Sequence, residues 1–139
     1  MMAPRPYSDL IDRLKAVGLR PTRQRLALAR LLFGRGNRHL TAEQLHGEAT
    51  AARVPISLAT VYNALHQFTD TGLLREVIVE PGRSYFDTNV ADHHHFFHED
   101  SGHLEDIAGE DVRLKALPPP PKGKCIRRVD VIIRVRDGN

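Results

Sequence analysis

The sequence contains one cysteine, no tryptophan and no long uninterrupted apolar stretch. A single cysteine, Cys125, cannot form an internal disulfide, and it excludes zinc sites built from paired cysteines. No segment approaches the roughly 18 apolar residues that a membrane-spanning helix needs, and the first residues lack the apolar core of a secretory signal. We therefore expect a cytoplasmic protein in a reducing environment, with no membrane partner.

Positive charge is concentrated at the start of the chain. Residues 1–38 carry nine Lys and Arg side chains against two acidic ones, whereas residues 81–139 carry nine basic and ten acidic side chains. Nearly all of the basic residues in the first part are arginines, whose planar guanidinium matches phosphate oxygens. This asymmetry predicts that the N-terminal part binds a polyanion, with a well-solvated helical surface as the alternative.

Histidine is concentrated in the second half of the chain. Five of the eight histidines lie within residues 93–103, and His93, His94 and His95 are consecutive. Imidazole is the commonest protein ligand of first-row transition metals and a normal axial ligand of haem. Acidic side chains flank the cluster on both sides. We expect a metal or haem sensor site here, rather than isolated surface or core histidines.

Hydrophobic periodicity and capping residues predict four helices followed by a hairpin. The helices are expected at about residues 8–17, between Thr22 and Gly34, between Thr41 and Pro55, and between Ser57 and Gly72. Strands at 74–79 and 84–87 flank a turn at 81–82. These elements are typical of a winged helix-turn-helix.

The remaining residues are expected to form a smaller α/β unit after a hinge at 88–92. We expect two extended segments, a helix and a final strand, at about residues 94–98, 103–107, 109–117 and 129–135. About fifty residues bury too little surface to be stable alone, so we expect this unit to pair with a second copy. The fold class is α+β: an N-terminal winged helix-turn-helix (residues 1–87) followed by a small α/β dimerisation domain (residues 88–139).

The helix after Ser57 is suited to reading DNA bases. One face is apolar, and the opposite face carries uncharged hydrogen-bonding groups, namely Thr60, Asn63, His66 and Gln67. The major groove admits such a helix, while charged groups on neighbouring elements hold the phosphates. A helical bundle with a polar surface is the alternative.

Four motifs resemble those of the ferric uptake regulator family, in the family's order and spacing. They are GLRPTRQR at 18–25, HLTAEQL at 39–45, ISLATVYNAL at 56–65 and GLLR at 72–75. The resemblance implies a winged-helix domain that binds operator DNA, an α/β domain that dimerises, and a regulatory metal between them. It implies a homodimeric, metal- or haem-responsive repressor of iron homeostasis that binds a palindromic operator, and not an enzyme.

The resemblance also implies which residues contact double-stranded DNA. Those on the recognition helix are Ser57, Thr60, Tyr62 and Asn63, and those outside it are Lys15, Arg20 and Arg25. Lys15 matches a position that approaches the minor groove, and the two arginines match positions near the backbone. Many relatives have arginine where this chain has Asn63. An amide prefers the adenine edge whereas arginine prefers guanine, so we expect a different operator sequence.

A regulatory metal site is implied at five matching positions. They are His39, Asp87, His93, His95 and Asp106. Three imidazoles and two carboxylates suit one Fe²⁺, Mn²⁺ or Zn²⁺ per subunit. These ligands come from the DNA-binding domain, the hinge and the dimerisation domain. Metal binding is therefore expected to fix the angle between the domains and the spacing of two recognition helices.

Differences from the motifs that most members of the family share indicate which subfamily the chain resembles. His98 and Ser101 stand where many relatives have the first cysteine pair, so we expect no structural zinc bound by four cysteines. The run His93–His95 followed by two phenylalanines most resembles the iron response regulators, in which haem is implicated at three histidines. Haem bound by His93, His94 and His95 is therefore an alternative ligand.

Three further alternatives remain open from the sequence. Asp106, in place of glutamate, also resembles the peroxide-sensing regulators, in which bound Fe²⁺ oxidises its own histidine ligands. Outside the family, the histidine cluster is compatible with a metalloenzyme, although the chain has no HExxH arrangement. A haem or metal buffer with an incidental basic surface is the third alternative.

Overall fold

A computed structural model describes residues 8–138 of the chain, which divides into two compact units after Val90. The first unit contains, in order, α1 Ser8–Ala16, α2 Arg23–Phe33, β1 His39–Leu40, α3 Ala42–Ala51, α4 Leu58–Asp70, β2 Arg75–Glu80 and β3 Arg83–Asp87. This is the mixed α+β order expected for a winged helix-turn-helix. None of the helices described is long and apolar enough to cross a bilayer.

The helices begin at the residues that the sequence predicts. Thr22 caps α2 by accepting a hydrogen bond from the Arg25 backbone N–H, and Ser57 caps α4 through Thr60 in the same way. Thr41 and Gln44 form the predicted capping box at the start of α3, in which each side chain bonds the backbone of the other. These caps satisfy N–H groups that a helix leaves without internal partners.

The core of the first unit lies between the helices and the wing. The apolar stripe of α4 supplies Val61, Leu65 and Phe68, and all three are fully buried. They pack with residues of the other elements: Leu14, Leu28, Leu32, Leu40, Leu45 and Phe86. Burying one such side chain stabilises the fold by roughly 1.5–3 kcal/mol, so this core orients α4 firmly.

A three-stranded sheet with the order β1-β3-β2 completes the first unit. The β2–β3 hairpin is the wing, and its strands lie within a residue of the predicted positions. The short strand β1 pairs antiparallel with β3 and places His39 opposite Asp87. The sequence did not predict β1, because two residues are too short to show a periodicity.

The second unit is a small sheet with the order β5-β4-β6. Strand β4, His93–His98, pairs antiparallel with β5, His103–Ala108, and parallel with β6, Ile132–Val135. The two predicted extended segments are confirmed as β4 and β5. The final strand is shorter than the predicted 129–135, and Ile133 on its expected apolar side is 39% exposed.

The prediction of a helix at 109–117 is wrong. Only a single 3₁₀ turn, Gly109–Asp111, forms there, and the chain then runs irregularly towards the prolines at 118–121. Leu114 and Leu117 are 47% and 49% exposed, so neither is buried in a core formed by the residues that the structure describes. A short helix without tertiary packing is not stable in water, and the residue before a proline disfavours the helical conformation.

Candidate metal centre

Strand alternation divides the consecutive histidines between the two faces of the second sheet. His93 and His95 lie on one face and are only 4% and 2% exposed, whereas His94 lies on the other face and is half-buried. Successive side chains of a strand point to opposite faces, so this separation follows directly from the extended backbone. His93 and His95 are therefore the pair that can act together.

Strand β5 brings Asp106 to this pair. The register places Asp106 opposite His95, and its Oδ1 lies 3.3 Å from His95 Nε2 and 3.6 Å from His93 Nε2. The two imidazole rings are 4.5 Å apart, centroid to centroid, at an angle of 64°. The ligand atoms that the three side chains offer lie within 4.8 Å of one another. This spacing is short enough for all three to bind one ion.

The hydrogen bonding of His93 prepares its ring for metal binding. Its Nδ1 lies 2.6 Å from the Ala91 carbonyl oxygen. A carbonyl can only accept, so Nδ1 carries the proton, and in the neutral ring Nε2 presents its lone pair towards Asp106. A cation held between Nε2 and the Asp106 carboxylate would satisfy both groups. The donor set thus fits a divalent transition metal, with Ala91 orienting one ligand.

The first unit holds a second pair of ligand-type residues. His39 and Asp87 face each other across β1 and β3, where directly opposed side chains are neighbours. Asp87 is 1% exposed, and its Oδ1 accepts a hydrogen bond of 2.9 Å from the Asn89 backbone N–H. The His39 ring lies edge-on to Tyr85. The five sequence-predicted ligands therefore fall into two preformed groups, one in each unit.

A clamp that sequence reasoning missed holds the His39–Asp87 pair in register. The Arg38 backbone N–H donates to Thr88 Oγ1 at 2.8 Å, and the Thr88 N–H donates back to the Arg38 carbonyl at 2.9 Å. The Arg38 guanidinium in turn pairs with both carboxylate oxygens of Glu48 on α3. The partners are far apart in sequence, so no local pattern indicates them.

His94 forms a hydrogen bond on the other face of the sheet. Its Nδ1 accepts a hydrogen bond of 3.1 Å from the Val131 backbone N–H, just before β6. The ring thus helps to hold the irregular C-terminal segment to β4. Consequently His93, His94 and His95 do not converge on one point, as a shared haem contact at all three would require.

Four of the residues expected to contact DNA lie at the start of α4, and some of their hydrogen-bonding groups already have partners. The Ser57 and Thr60 hydroxyl oxygens are 2.9 Å apart, and Asn63 is exposed. The Tyr62 hydroxyl donates a hydrogen bond of 2.6 Å to Glu43 Oε1 on α3. Sequence reasoning missed Glu43, since nothing local to it indicates a partner on another helix.

The basic residues lie on the preceding elements. Arg25 of α2 donates to Gln67 Oε1 on α4 and to the Arg20 carbonyl, each at 2.9 Å, so it ties α2 to the recognition helix. Lys15 on α1 and Arg20 are exposed. Arg25 is therefore a structural link as well as an expected phosphate contact.

The contact between Tyr62 and Glu43 changes the ionisation of both groups. Accepting the hydroxyl proton in a hydrogen bond lowers the pKa of Glu43, and a backbone hydrogen bond lowers it further. The same hydrogen bond raises the pKa of Tyr62, with burial and the nearby negative charge as smaller causes. Near neutral pH the contact is thus a neutral phenol donating to a charged carboxylate.

The chain is similar to known proteins over most of its length. The profile of the ferric uptake regulator family matches residues 16–116. The chain is 35% identical over 103 residues to the ferric uptake regulation protein of Cupriavidus metallidurans, covering 73% of this chain and 72% of that protein. It is 36% identical over 100 residues to the peroxide-responsive repressor PerR of Staphylococcus epidermidis, covering 71% of this chain and 65% of the relative.

A likeness of fold extends to solved structures. The structure of the ferric uptake regulator from Pseudomonas aeruginosa with manganese superposes with a TM-score of 0.69. The superposition covers 92% of this chain and 97% of that chain, at 24% sequence identity.

Proposed function

This chain belongs to the ferric uptake regulator family, and we propose that it is a homodimeric, metal-responsive repressor of transcription acting in the cytoplasm. Members of the family are transcription regulators, so the metalloenzyme alternative falls away. The observation that carries the proposal is the convergence of His93, His95 and Asp106 on one face of a sheet. We propose residues 1–87 for DNA binding and residues 88–139 for dimerisation and metal sensing.

The proposed regulatory site takes ligands from both preformed groups. One divalent ion would be held by His93, His95 and Asp106 of the second unit together with His39 and Asp87 of the first. A metal in such a set supplies a fixed positive centre that draws its ligands together. Other residues of the chain position the ligands: Ala91 orients His93, and the Arg38–Thr88 clamp keeps His39 beside Asp87.

Regulation follows from the distribution of these ligands along the chain. An ion bound by both groups restricts the orientations that the two units can adopt, and hence the separation of the two recognition helices in a dimer. The ion favours one arrangement only by as much as its affinity differs between arrangements. We propose that the metal-bound arrangement is the one that matches a palindromic operator.

Which metal or cofactor the protein senses is a more specific proposal. We propose iron homeostasis as the regulated process, with Fe²⁺ as the ligand and Mn²⁺ or Zn²⁺ as substitutes. Haem sensing of the iron response type is less well supported, because His94 lies on the opposite face of β4 from His93 and His95. The three-histidine, two-aspartate set and the similarity to a peroxide-responsive repressor favour peroxide sensing as a second candidate.

Selection of binding sites tests the proposal. Anaerobically purified protein is loaded with Mn²⁺ and used to enrich duplexes from a randomised pool at physiological ionic strength. We expect a palindromic sequence to be enriched, with affinity at least about a thousandfold above that for random duplex. Enrichment of no duplex, with metal or with haem, would overturn the proposal.

Variants of the ligands separate metal response from folding. We expect the double variant His93→Ala/His95→Ala to lose the metal dependence of operator binding. The matched control is His103→Ala, an exposed histidine on the opposite face of the same sheet, which should respond to metal as the parent does. Absorbance titration with haem, and mass analysis for oxygen added to a ligand histidine after peroxide, distinguish the three sensing modes.

A further inference from the structure

The strongest unexplained contact on the proposed DNA-reading surface joins Tyr62 of α4 to Glu43 of α3. The two oxygens are 2.6 Å apart, a short distance typical of a charge-assisted hydrogen bond. The Tyr62 ring also stacks on His66 one turn later, with centroids 6.3 Å apart and planes at 21°. His66 packs edge-on against the buried Phe86. Tyr62 is thus fixed in direction by contacts at its ring and at its hydroxyl.

The direction of the proton in this contact limits what Tyr62 can bind. A phenol has one proton, and an ionised carboxylate can only accept, so the proton points at Glu43. The Tyr62 oxygen can still accept a hydrogen bond but has nothing left to donate. DNA phosphates offer only acceptors, whereas the amino groups of adenine and cytosine are the hydrogen-bond donors in the major groove.

The negative charge of Glu43 lies beside the surface proposed to meet DNA. Glu43 is exposed and forms no ion pair among residues 8–138. It lies in a chain whose first 38 residues are strongly basic, next to the helix proposed to enter the groove of a polyanion. A carboxylate at that position disfavours the close approach of a phosphate. It also borders an open cavity with Tyr62, His66 and Ser84, so the pair is accessible from outside.

We propose that Glu43 is a specificity-determining residue of the DNA-reading surface. By taking the only hydroxyl proton of Tyr62, it makes Tyr62 an obligate acceptor that selects a base with an exocyclic amino group and rejects a carbonyl at the same place. The proposal rests on the proposed function, since it assumes that α4 reads an operator. It identifies the ligand by chemistry: an adenine or cytosine edge in the major groove, and not a phosphate.

Base analogues in the selected operator test this proposal with Mn²⁺-loaded full-length protein. At each adenine, the series is adenine, purine and hypoxanthine, which present an amino group, no group and a carbonyl at the same ring carbon. At each cytosine, the series is cytosine, 2-pyrimidinone and uracil. We expect one position per half-site at which the parent binds the amino-bearing base most tightly, the unsubstituted base less tightly and the carbonyl-bearing base least tightly. The highest and lowest affinities should differ about tenfold.

Two variants show whether that order comes from the Tyr62–Glu43 pair. Glu43→Ala frees the proton, so the carbonyl base should bind at least as well as the base without a substituent. Tyr62→Phe removes the oxygen, so its affinities for the three operators should agree within about twofold. A difference of that size is smaller than the contribution of one hydrogen bond. Asp70→Ala is the matched control, because it removes an exposed charge from the end of α4 and should leave the order unchanged.

The outcomes separate this inference from the function on which it rests. If the parent enriches no operator, the proposed function fails, and the inference fails with it. If the parent binds an operator but no position shows the order amino, none, carbonyl, or if Glu43→Ala keeps that order, the inference alone is overturned. A mere misplacement of Tyr62 would lower binding of the amino base without raising that of the carbonyl base.

Discussion

At the scale of single residues, the candidate metal centre depends on which face of β4 or β5 each side chain occupies. Asp106 and Glu105 are adjacent and exposed, yet only Asp106 lies on the face that carries His93 and His95. We expect Asp106→Asn to weaken Mn²⁺ binding by at least about tenfold. Glu105→Gln, on the opposite face, should leave the affinity unchanged. Competition with a chromophoric chelator measures both, and equal losses would contradict the assignment.

Also at this scale, the Tyr62–Glu43 pair predicts a change in tyrosine ionisation. The pKa of Tyr62 is raised, so the contact contributes stability at pH values below the unfolded tyrosine pKa, and this is lost as pH rises through the folded value. The pKa of Glu43 is lowered, so its contribution is lost only as pH falls through its folded value. We expect Glu43→Ala to shift one tyrosinate absorbance transition to lower pH.

Tyr62→Phe provides the control for that titration. It should remove the transition that moves in Glu43→Ala and leave the others in place. If the transition that disappears is one that Glu43→Ala does not move, the hydrogen bond is absent in solution.

At the scale of elements, the helix caps should contribute measurably to the stability of the winged-helix unit. Thr41→Ala removes the side-chain cap at the start of α3 and should lower the free energy of unfolding by about 1 kcal/mol. Thr41→Ser keeps the hydroxyl and should cost much less. Urea denaturation followed by circular dichroism compares the two variants, and equal stability of Ala and Ser variants would contradict the role of the cap.

The elements also show how far local sequence patterns extend. Helices α1 to α4 and the wing were predicted closely, because caps and apolar periodicity act within a few residues. Strand β1 was not predicted, since its two residues are extended only through pairing with β3. The expected helix at 109–117 was wrong because Leu114 and Leu117 stay about half exposed among residues 8–138 and do not anchor a helix.

Some residues of the candidate site can also be predicted from the sequence, and others cannot. The histidine cluster and strand alternation identify His93 and His95 as a pair, and register then selects Asp106. By contrast, Glu43 contacts Tyr62 across 19 residues and Arg38 contacts Thr88 across 50. Such contacts arise from the packing of whole elements, so one sequence alone does not reveal them.

At the scale of the whole molecule, we predict that the second unit requires a partner to be stable. Its buried apolar side chains among residues 91–138 are Phe97, Leu104 and Ile107, while Leu114, Leu117, Ile126 and Ile133 are exposed. We expect a dimer whose thermal midpoint rises with protein concentration. Sedimentation equilibrium gives the mass, and a monomer with a concentration-independent midpoint would contradict this prediction.

We propose that one ion links two preformed groups of ligands and so restricts the relative orientation of the units. Electron–electron distance measurements test it most directly, with spin labels at Ala51→Cys and Glu99→Cys in a Cys125→Ser background, diluted with unlabelled protein to isolate distances within one chain. We expect metal-free protein to give a broad distribution, and Zn²⁺, which is diamagnetic, to narrow it unless His93 and His95 are replaced by alanine. An identical distribution with and without Zn²⁺, under conditions where Zn²⁺ changes operator affinity, would show that the ion does not restrict the units.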